Sequence, residues 1–393
     1  MEEEARRKEA IRRHLDGEKS VHIWQDLGRS ERWFYKWLRR FRERGPDWFR
    51  TQSRAPNNVP NQTDPRIEQL VLDTREKLEN QKYAQIGSLS IQWNLSQLGV
   101  EVPSTRTIER ILQRNGKTQR SQPYQPKGTD YPAVVAERPG DLHQIDFVGP
   151  RRIRGDGRFY SLTVMDVASR KVGITPSRRH RASDVTSALI GTWRRMPLPT
   201  YVQMDNALYF RGSNRYPRSF GMVVRLCLHL GITPVFIPLR EPWRNGCVER
   251  FQDTFDKTFF RSQEFEDFEH LQREASAFEH FHNENHRYGP CGGRTPNGTE
   301  GSHQNIPRCL EDEFELPKQL FIEPGEIHVA RLIRSNRDLD IFGLHFRMPK
   351  SVIHEYVKAI IDTDSQVMSV THDQKIIATL PFEVSQNPMS TQR

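Results

Sequence analysis

From Leu142 onward the apolar residues fall into short, closely spaced runs: Leu142 to Val148, Phe159 to Val167, and Lys171 to Thr175. Runs of this length and spacing predict three neighbouring strands in a meander. A helical stretch from Ser183 to Arg195 follows, then a strand from Thr200 to Asp205, a helix from about Pro217 to Leu230, and a strand from Thr233 to Ile237. The order β-β-β-α-β-α-β constrains this chain more than any other feature. Antiparallel strands that feed α/β crossovers must form a mixed sheet with helices against its faces.

Upstream of that sheet the periodicity is helical. Phe34, Trp37, Leu38 and Phe41 recur at i, i+3, i+4 and i+7, with Ser30 as N-cap and Gly45-Pro46 as the stop. A preceding helix holding Val21, Ile23, Trp24 and Leu27 reaches this one through the turn Leu27-Gly28-Arg29-Ser30. The pair predicts a helix-turn-helix whose second helix is basic, with Lys36, Arg39 and Arg40 as candidate DNA contacts. Trp24, Trp33, Trp37 and Trp48 sit at a spacing that suits a core better than a base-stacking platform. A second helical unit opens with Asp64 as N-cap and Pro65 at the first helical position. Its last helix follows Pro103-Ser104, lays Ile108, Ile111 and Leu112 beside Arg106 and Arg110, and stops near Asn115-Gly116, so Arg106 and Arg110 are further DNA candidates.

Residues 117–140 hold four prolines and two glycines without apolar periodicity, which describes a linker. Beyond the sheet, five alternating runs between Ile327 and Leu380 predict a small SH3-like β-barrel. The expected organisation is a helix-turn-helix domain over 1–50, a linker over 51–62, and a second helical, winged or helix-turn-helix domain over 63–116. The linker over 117–140 then leads to a catalytic core over 141–290, a connector over 291–325, the barrel over 326–385 and a tail over 386–393.

A formal net charge of +9 and a charged fraction of 28% favour a polyanionic partner, nucleic acid first. The four cysteines, Cys227, Cys247, Cys291 and Cys309, make no C-x-x-C pair, so neither a metal ribbon nor a redox motif is expected and a reduced, cytosolic location is. Met1 to Arg7 has no apolar run behind it, and no stretch approaches the roughly 18 apolar residues that span a bilayer. No membrane association is expected.

Three carboxylates stand where apolar patterning gives them no obvious place. Asp146 interrupts the apolar strand Leu142-His143-Gln144-Ile145-Asp146-Phe147-Val148, Asp205 ends the strand Tyr201 to Asp205, and Glu249 follows the turn Pro242-Trp243-Arg244-Asn245-Gly246 at a helix start. Taken singly, each has an ordinary explanation: backbone capping, an Asx-turn, or a helix N-terminus. Taken together they are the ligand set that phosphodiester chemistry needs. Hard oxygen donors hold Mg²⁺, and a pair of such ions can activate the attacking hydroxyl and stabilise the leaving oxygen. Asn206 is a candidate to orient Asp205. Asp166 suits a strand-terminating turn instead, and His282 and His286, though spaced i, i+4, lack the glutamate of a metalloprotease helix and read as structural.

The segments Leu142 to Gly149, Tyr201 to Asn206 and Pro242 to Phe251 resemble the catalytic core shared by retroviral integrases and bacterial insertion-sequence transposases of the DDE family. Met165 to Arg170, Phe281 to Arg287 and Gly292 to Pro296 resemble the same family. The resemblance implies a ribonuclease H-like core with N-terminal DNA-gripping helices. It further implies that Asp146, Asp205 and Glu249 bind two Mg²⁺, replaceable by Mn²⁺, cut a 3′ end of element DNA and direct its hydroxyl at target DNA. Double-stranded DNA, a homo-multimer on paired ends, and a bacterial cytoplasmic, nucleoid-associated setting are implied with it. This chain departs from the pattern in three places. Ala207 stands where a glycine often follows the Asp-Asn pair. Between Asp205 and Glu249 lie 43 residues, with Arg211 to Gly221 as the apparent insertion, and Glu249 is preferred to Glu241. Asp256 occupies the position where a DNA-contacting basic residue is expected, with Lys257 one later. The competing readings are a catalytically silent helix-turn-helix regulator and a simple ribonuclease H-like nuclease.

Overall fold

The computed structural model describes residues 3–43, 45–51, 63–118, 130–385 and 387–391. Residues 52–62 of the linker expected over 51–62 and residues 119–129 of the linker expected over 117–140 lie outside it, with residues 1, 2, 44, 386, 392 and 393. The chain divides into two compact units, Met1–Asp64 and Pro65–Arg393.

The first unit contains α1 (Glu3–Leu15), α2 (Ser20–Asp26) and α3 (Glu31–Glu43). Ser30 caps α3 as expected, its Oγ accepting from the Trp33 amide at 3.2 Å. Gly28, at φ +60°, makes the tight turn between α2 and α3. Ala10, Ile11, Ile23, Phe34 and Leu38 form the core, and Trp24, Trp33 and Trp48 pack against it. Trp37 is buried with the Arg7 guanidinium 4.0 Å above its ring. The tryptophans are therefore structural, as their spacing predicts.

The second unit opens with α4 (Pro65–Glu79), α5 (Ser88–Ser96) and α6 (Thr105–Arg114), which share a core of Val71, Leu78, Ile91, Leu95, Ile108, Ile111 and Leu112. Ser104 caps α6 by accepting from the Thr107 amide. The strands and helices that follow are β1 (Leu142–Ile153), β2 (Gly157–Asp166), β3 (Val172–Ser177), α7 (Ala182–Trp193), β4 (Tyr201–Met204), α8 (Leu208–Arg211), α9 (Met222–His229) and β5 (Thr233–Phe236). Next come α10 (Gly246–Phe255), α11 (Phe268–Asn285) and α12 (Pro296–Glu300). The predicted order is present. The helix expected from Pro217 starts only at Met222, because residues 211–221 close on themselves: the Gly221 amide donates to the Arg211 carbonyl at 2.9 Å. A Cβ on Gly212, at φ +104°, would lie 2.5 Å from the Gly221 nitrogen, so the base of this loop requires glycine.

The C-terminal strands are β6 (Gln319–Leu320), β7 (Glu326–Leu332), β8 (Asp338–Ile341), β9 (Leu344–Arg347), β10 (Tyr356–Asp362), β11 (Val367–His372), β12 (Lys375–Pro381) and β13 (Met389–Ser390). They do not close into the separate SH3-like barrel expected for 326–385. Instead β7 pairs in parallel with β5, Val235 opposite His328 and Phe236 opposite Val329. The result is one nine-stranded sheet in the order β12-β11-β10-β7-β5-β4-β1-β2-β3. Alternation along a strand reveals which face is buried but not which edge it joins. Ile327, Val329, Val357 and Ala359 accordingly share a core with Ile145, Val202 and Phe236. On one sheet face that core includes α7 and α9; on the other, Met165, Val172 and Ile174 pack with Val248, Phe251 and Phe255 of α10 and Phe278 of α11.

Candidate active site

The β1–β4 pair sets the site. These strands run parallel with Gln144 opposite Gln203, so Asp146 and Asp205, each two residues further on, emerge at the same sheet end. Both strands carry the same Gln-x-Asp pattern, and a period of two puts each glutamine on its aspartate's face. The glutamines bind the Pro242–Asn245 turn and the start of α10. Gln144 Oε1 accepts from the amides of Cys247 at 3.0 Å and Val248 at 3.1 Å, satisfying two of the N–H groups that a helix start leaves open. Gln203 Nε2 donates to the Arg244 carbonyl at 2.9 Å, and Asn245 Nδ2 donates to the Ile145 carbonyl at 2.9 Å. Three side-chain amides thus pin the Pro242–Asn245 turn and the first turn of α10, which carries Glu249, against the strands bearing the aspartates.

Asp146 accepts from its neighbour's amide, Phe147 N, at 2.8 Å and from Gln252 Nε2, one turn beyond Glu249 on α10, at 3.2 Å. Burial raises its carboxyl to about 6, and the charges of Asp205 and Glu249 push the same way against these two hydrogen bonds. Burial also raises Asp205, whose Oδ1 accepts from the Ala207 amide at 2.9 Å, and Glu249. The three predicted carboxylates are therefore electrostatically coupled through Asp146. They are not drawn tight: among the described residues no three His, Cys, Asp or Glu side chains stand within reach of one metal ion. The donor chemistry nevertheless suits Mg²⁺, since all three are hard oxygen ligands whose mutual repulsion a cation would relieve.

Other expectations resolve differently. Asn206 does not orient the Asp205 carboxylate; its Nδ2 donates to the Ile237 carbonyl at 2.7 Å and its Oδ1 accepts from Arg331 at 2.8 Å. It ties β4 to β5 and, through the buried Arg331, to β7. Glu241 accepts from the Tyr356 hydroxyl at 2.7 Å and from Arg244 at 3.1 Å, so it is committed to structure. Asp166 accepts from Ser169 N at 2.6 Å, Ser169 Oγ at 2.7 Å and Gly140 N at 2.7 Å, the strand-ending turn that its sequence predicts. His282 and His286 are buried. His282 Nε2 lies 2.7 Å from the Tyr288 hydroxyl and His286 Nε2 2.7 Å from the Tyr83 carbonyl, so they lock α11 to its tail and to the second helical domain. Lys257 pairs with Asp253 at 2.7 Å, while Asp256 is paired with Arg151 and Arg261.

Of the DNA candidates, Lys36 and Arg39 are exposed on α3, and Arg40 is half-buried with its guanidinium 4.6 Å from the Trp37 ring. Arg106 and Arg110 are exposed on α6. Sequence reasoning missed Gln144, Gln203, Asn245 and Arg331; the repeated Gln-x-Asp was the available signal for the first two.

Residues 7–69 match the winged helix-turn-helix family, and residues 230–296 match the integrase core domain. The chain is integrase-like. Its integrase-core match spans β5, the Pro242–Asn245 turn, α10, α11 and the tail to Pro296, and so includes Glu249. With the helix-turn-helix match, it makes the chain similar to DNA-binding and integrase-core proteins over those two segments. No curated protein matches it. Among solved structures, a chain of the simian T-cell lymphotropic virus intasome in complex with PP2A regulatory subunit B56 gamma is 16% identical at a TM-score of 0.37, covering 75% of this chain and 93% of that one. The HTLV-2 integrase catalytic core in complex with magnesium is 13% identical at a TM-score of 0.31, covering 42% and 99%. The BIV integrase catalytic core is 19% identical at a TM-score of 0.30, covering 40% and 91%. No helix among the described residues is long and apolar enough to cross a membrane.

Proposed function

We propose that this integrase-like chain is a DDE-type DNA transposase that cuts the 3′ end of element DNA and transfers it to target DNA, with Asp146, Asp205 and Glu249 as its catalytic and metal-holding residues. The observation that carries this reading is Asp146: a carboxylate in an apolar strand, beside Asp205 on the adjacent parallel strand, raised by burial and by the charges of Asp205 and Glu249. A pure binder of polyanions gains nothing from such a cluster. Mg²⁺ or Mn²⁺ held there supplies Lewis-acid stabilisation of charge at the phosphorus and a deprotonated attacking oxygen. The protein's own part is to hold Asp146 and Asp205 on adjacent strands and to aim Glu249 at them through the amide clamp of Gln144, Gln203 and Asn245. Lys36, Arg39 and Arg40 on α3, with Arg106 and Arg110 on α6, grip the duplex. Two such ends are held by a homo-multimer, in the bacterial cytoplasm at the nucleoid.

The wide spacing of the carboxylates favours one other reading, a regulator that binds DNA without turnover. A cleavage and strand-transfer assay on labelled DNA carrying the gene's flanking ends, with Mg²⁺ or Mn²⁺, separates the two. The transposase gives metal-dependent 3′-end cuts and joined products, both lost in Asp205→Asn. Specific binding without either product, under conditions in which the protein multimerises, establishes the regulator.

A further inference from the structure

The Pro242–Asn245 turn that leads into α10 is held at Arg244 twice over. Its backbone is fixed by Gln203, which donates to the Arg244 carbonyl at 2.9 Å. Its side chain is fixed by three others. Arg244 Nε donates to Glu241 Oε2 at 3.1 Å, and the Tyr356 hydroxyl lies 2.8 and 2.7 Å from the two Glu241 oxygens. The guanidinium also lies over two rings, 4.9 Å from the centroid of Tyr356 and 4.1 Å from that of Tyr131, and the rings themselves meet edge to face at 5.4 Å.

Glu241, Arg244 and Tyr356 suffice to join the turn to β10. Tyr131 comes from elsewhere: it belongs to residues 130–140, the described part of the stretch that leads into β1. Among the described residues its hydroxyl makes no hydrogen bond, so what it offers Arg244 is the face of its ring. Only 19% of the Arg244 side chain is exposed, and a ring face attracts a guanidinium most strongly when water is largely excluded. The far end of the segment is pinned to the sheet, the Gly140 amide donating to Asp166 at 2.7 Å and its carbonyl accepting from Thr200 N at 2.7 Å. The near end rests on the ring, for a cavity of about 290 Å³ opens between residues 130–133 and strands β10 and β11. Ordering such a segment costs chain entropy. The contact that offsets this cost is made on the arginine whose backbone sets the turn, five residues before Glu249.

We propose that Tyr131 is a positioning residue for Glu249: its ring, laid on Arg244, holds the turn in the conformation that aims α10, so the segment tethering the second helical domain to the sheet is part of the active-site frame. This role rests on the proposed catalytic part of Glu249 and deepens it. Upstream of the same segment lies α6 with Arg106 and Arg110, so the chain that leaves a proposed DNA-gripping helix is fastened at the catalytic turn before it enters β1.

Two readouts on the full chain test this role. The first uses neither metal nor DNA and follows hydrogen exchange of the Cys247 and Val248 amides, which donate to Gln144. Tyr131→Leu, which keeps apolar bulk without a ring face, is expected to speed their exchange by roughly tenfold and leave the β1–β2 ladder unchanged, and Tyr131→Phe to restore wild-type protection. The second is 3′-end cutting with Mg²⁺. Tyr131→Leu is expected to lower kcat by roughly tenfold at an unchanged KM for DNA, Tyr131→Phe to rescue it, and Tyr131→Leu to add nothing in an Arg244→Gln background. Unaltered exchange at Cys247 and Val248, acceleration spread evenly over the sheet, an equal loss in Tyr131→Phe, or full additivity with Arg244→Gln overturns the proposal. A wild type that never cuts, while Tyr131→Leu loosens the turn, defeats the catalytic reading and leaves the coupling of Tyr131 to the turn standing. A wild type that cuts with its turn indifferent to Tyr131 does the reverse.

Discussion

Asp146 bears the electrostatic cost of the site. Its folded carboxyl titrates near 6, above the usual value of 3.8, because burial and two neighbouring carboxylates oppose its charge. A raised acid binds its proton more tightly in the folded state, so its ionisation costs stability as pH rises from about 4 through 6. Without metal, Asp146→Asn should therefore equal wild type in stability below about pH 4 and exceed it by about 3 kcal/mol at pH 7. Chemical denaturation of both proteins across that range measures the difference, and a gap that stays constant with pH defeats the assignment. Millimolar Mg²⁺ should narrow the gap by stabilising wild type alone. This residue is legible in the sequence because a charge in an apolar strand needs a reason. Asn206 is less so: adjacency to Asp205 suggests a carboxylate partner, but adjacent residues on an extended chain point to opposite sides, and its amide reaches Ile237 and Arg331 instead.

At the level of elements, the placing of α10 decides whether Glu249 joins the aspartates. Helix ends follow local chemistry, which is why the cap at Ser30 is readable from the local sequence alone. The start of α10 is capped from a distance by Gln144, about a hundred residues earlier in the chain, and no local rule finds it. Gln144→Ala removes the acceptor of two helix-start amides and should cost about 1–2 kcal/mol of stability. Its effect on 3′-end cutting should be larger than that loss explains, because Glu249 loses its aim while remaining present. Cutting rates measured well below the melting temperature, at saturating DNA, separate the two effects. A variant that melts earlier yet cuts at the wild-type rate shows that the clamp serves folding only.

On the scale of the Pro65–Arg393 unit, strand order counts for more than the number of strands. The segments after Ile327 alternate as a free-standing barrel would, yet β7 completes the edge of β5, and the buried Arg331 fastens that junction. Its guanidinium donates to the Ile237 carbonyl at 3.1 Å, the Asp340 carbonyl at 2.8 Å and Asn206 Oδ1 at 2.8 Å, so it joins the C-terminal strands to the loop that follows Asp205. No alternation pattern could reveal this, because an edge is chosen by what lies beside it in space. Two consequences follow from a shared sheet. Removing residues 326–393 strips β5 of a neighbour and uncovers the apolar face that Ile327, Val329 and Val357 cover. The truncated chain should lose its cooperative melting transition for the catalytic core, whereas an independent barrel would leave that transition where it was. Arg331→Met is the milder test. It keeps the aliphatic bulk but withdraws the donors that reach the Ile237, Asp340 and Ala330 carbonyls and Asn206 Oδ1, and it should destabilise the single transition of Pro65–Arg393 by about 3 kcal/mol. If calorimetry instead resolves two transitions, with only the C-terminal one moved by Arg331→Met, the two halves of the sheet fold separately and the junction at β5 is a contact rather than a continuation.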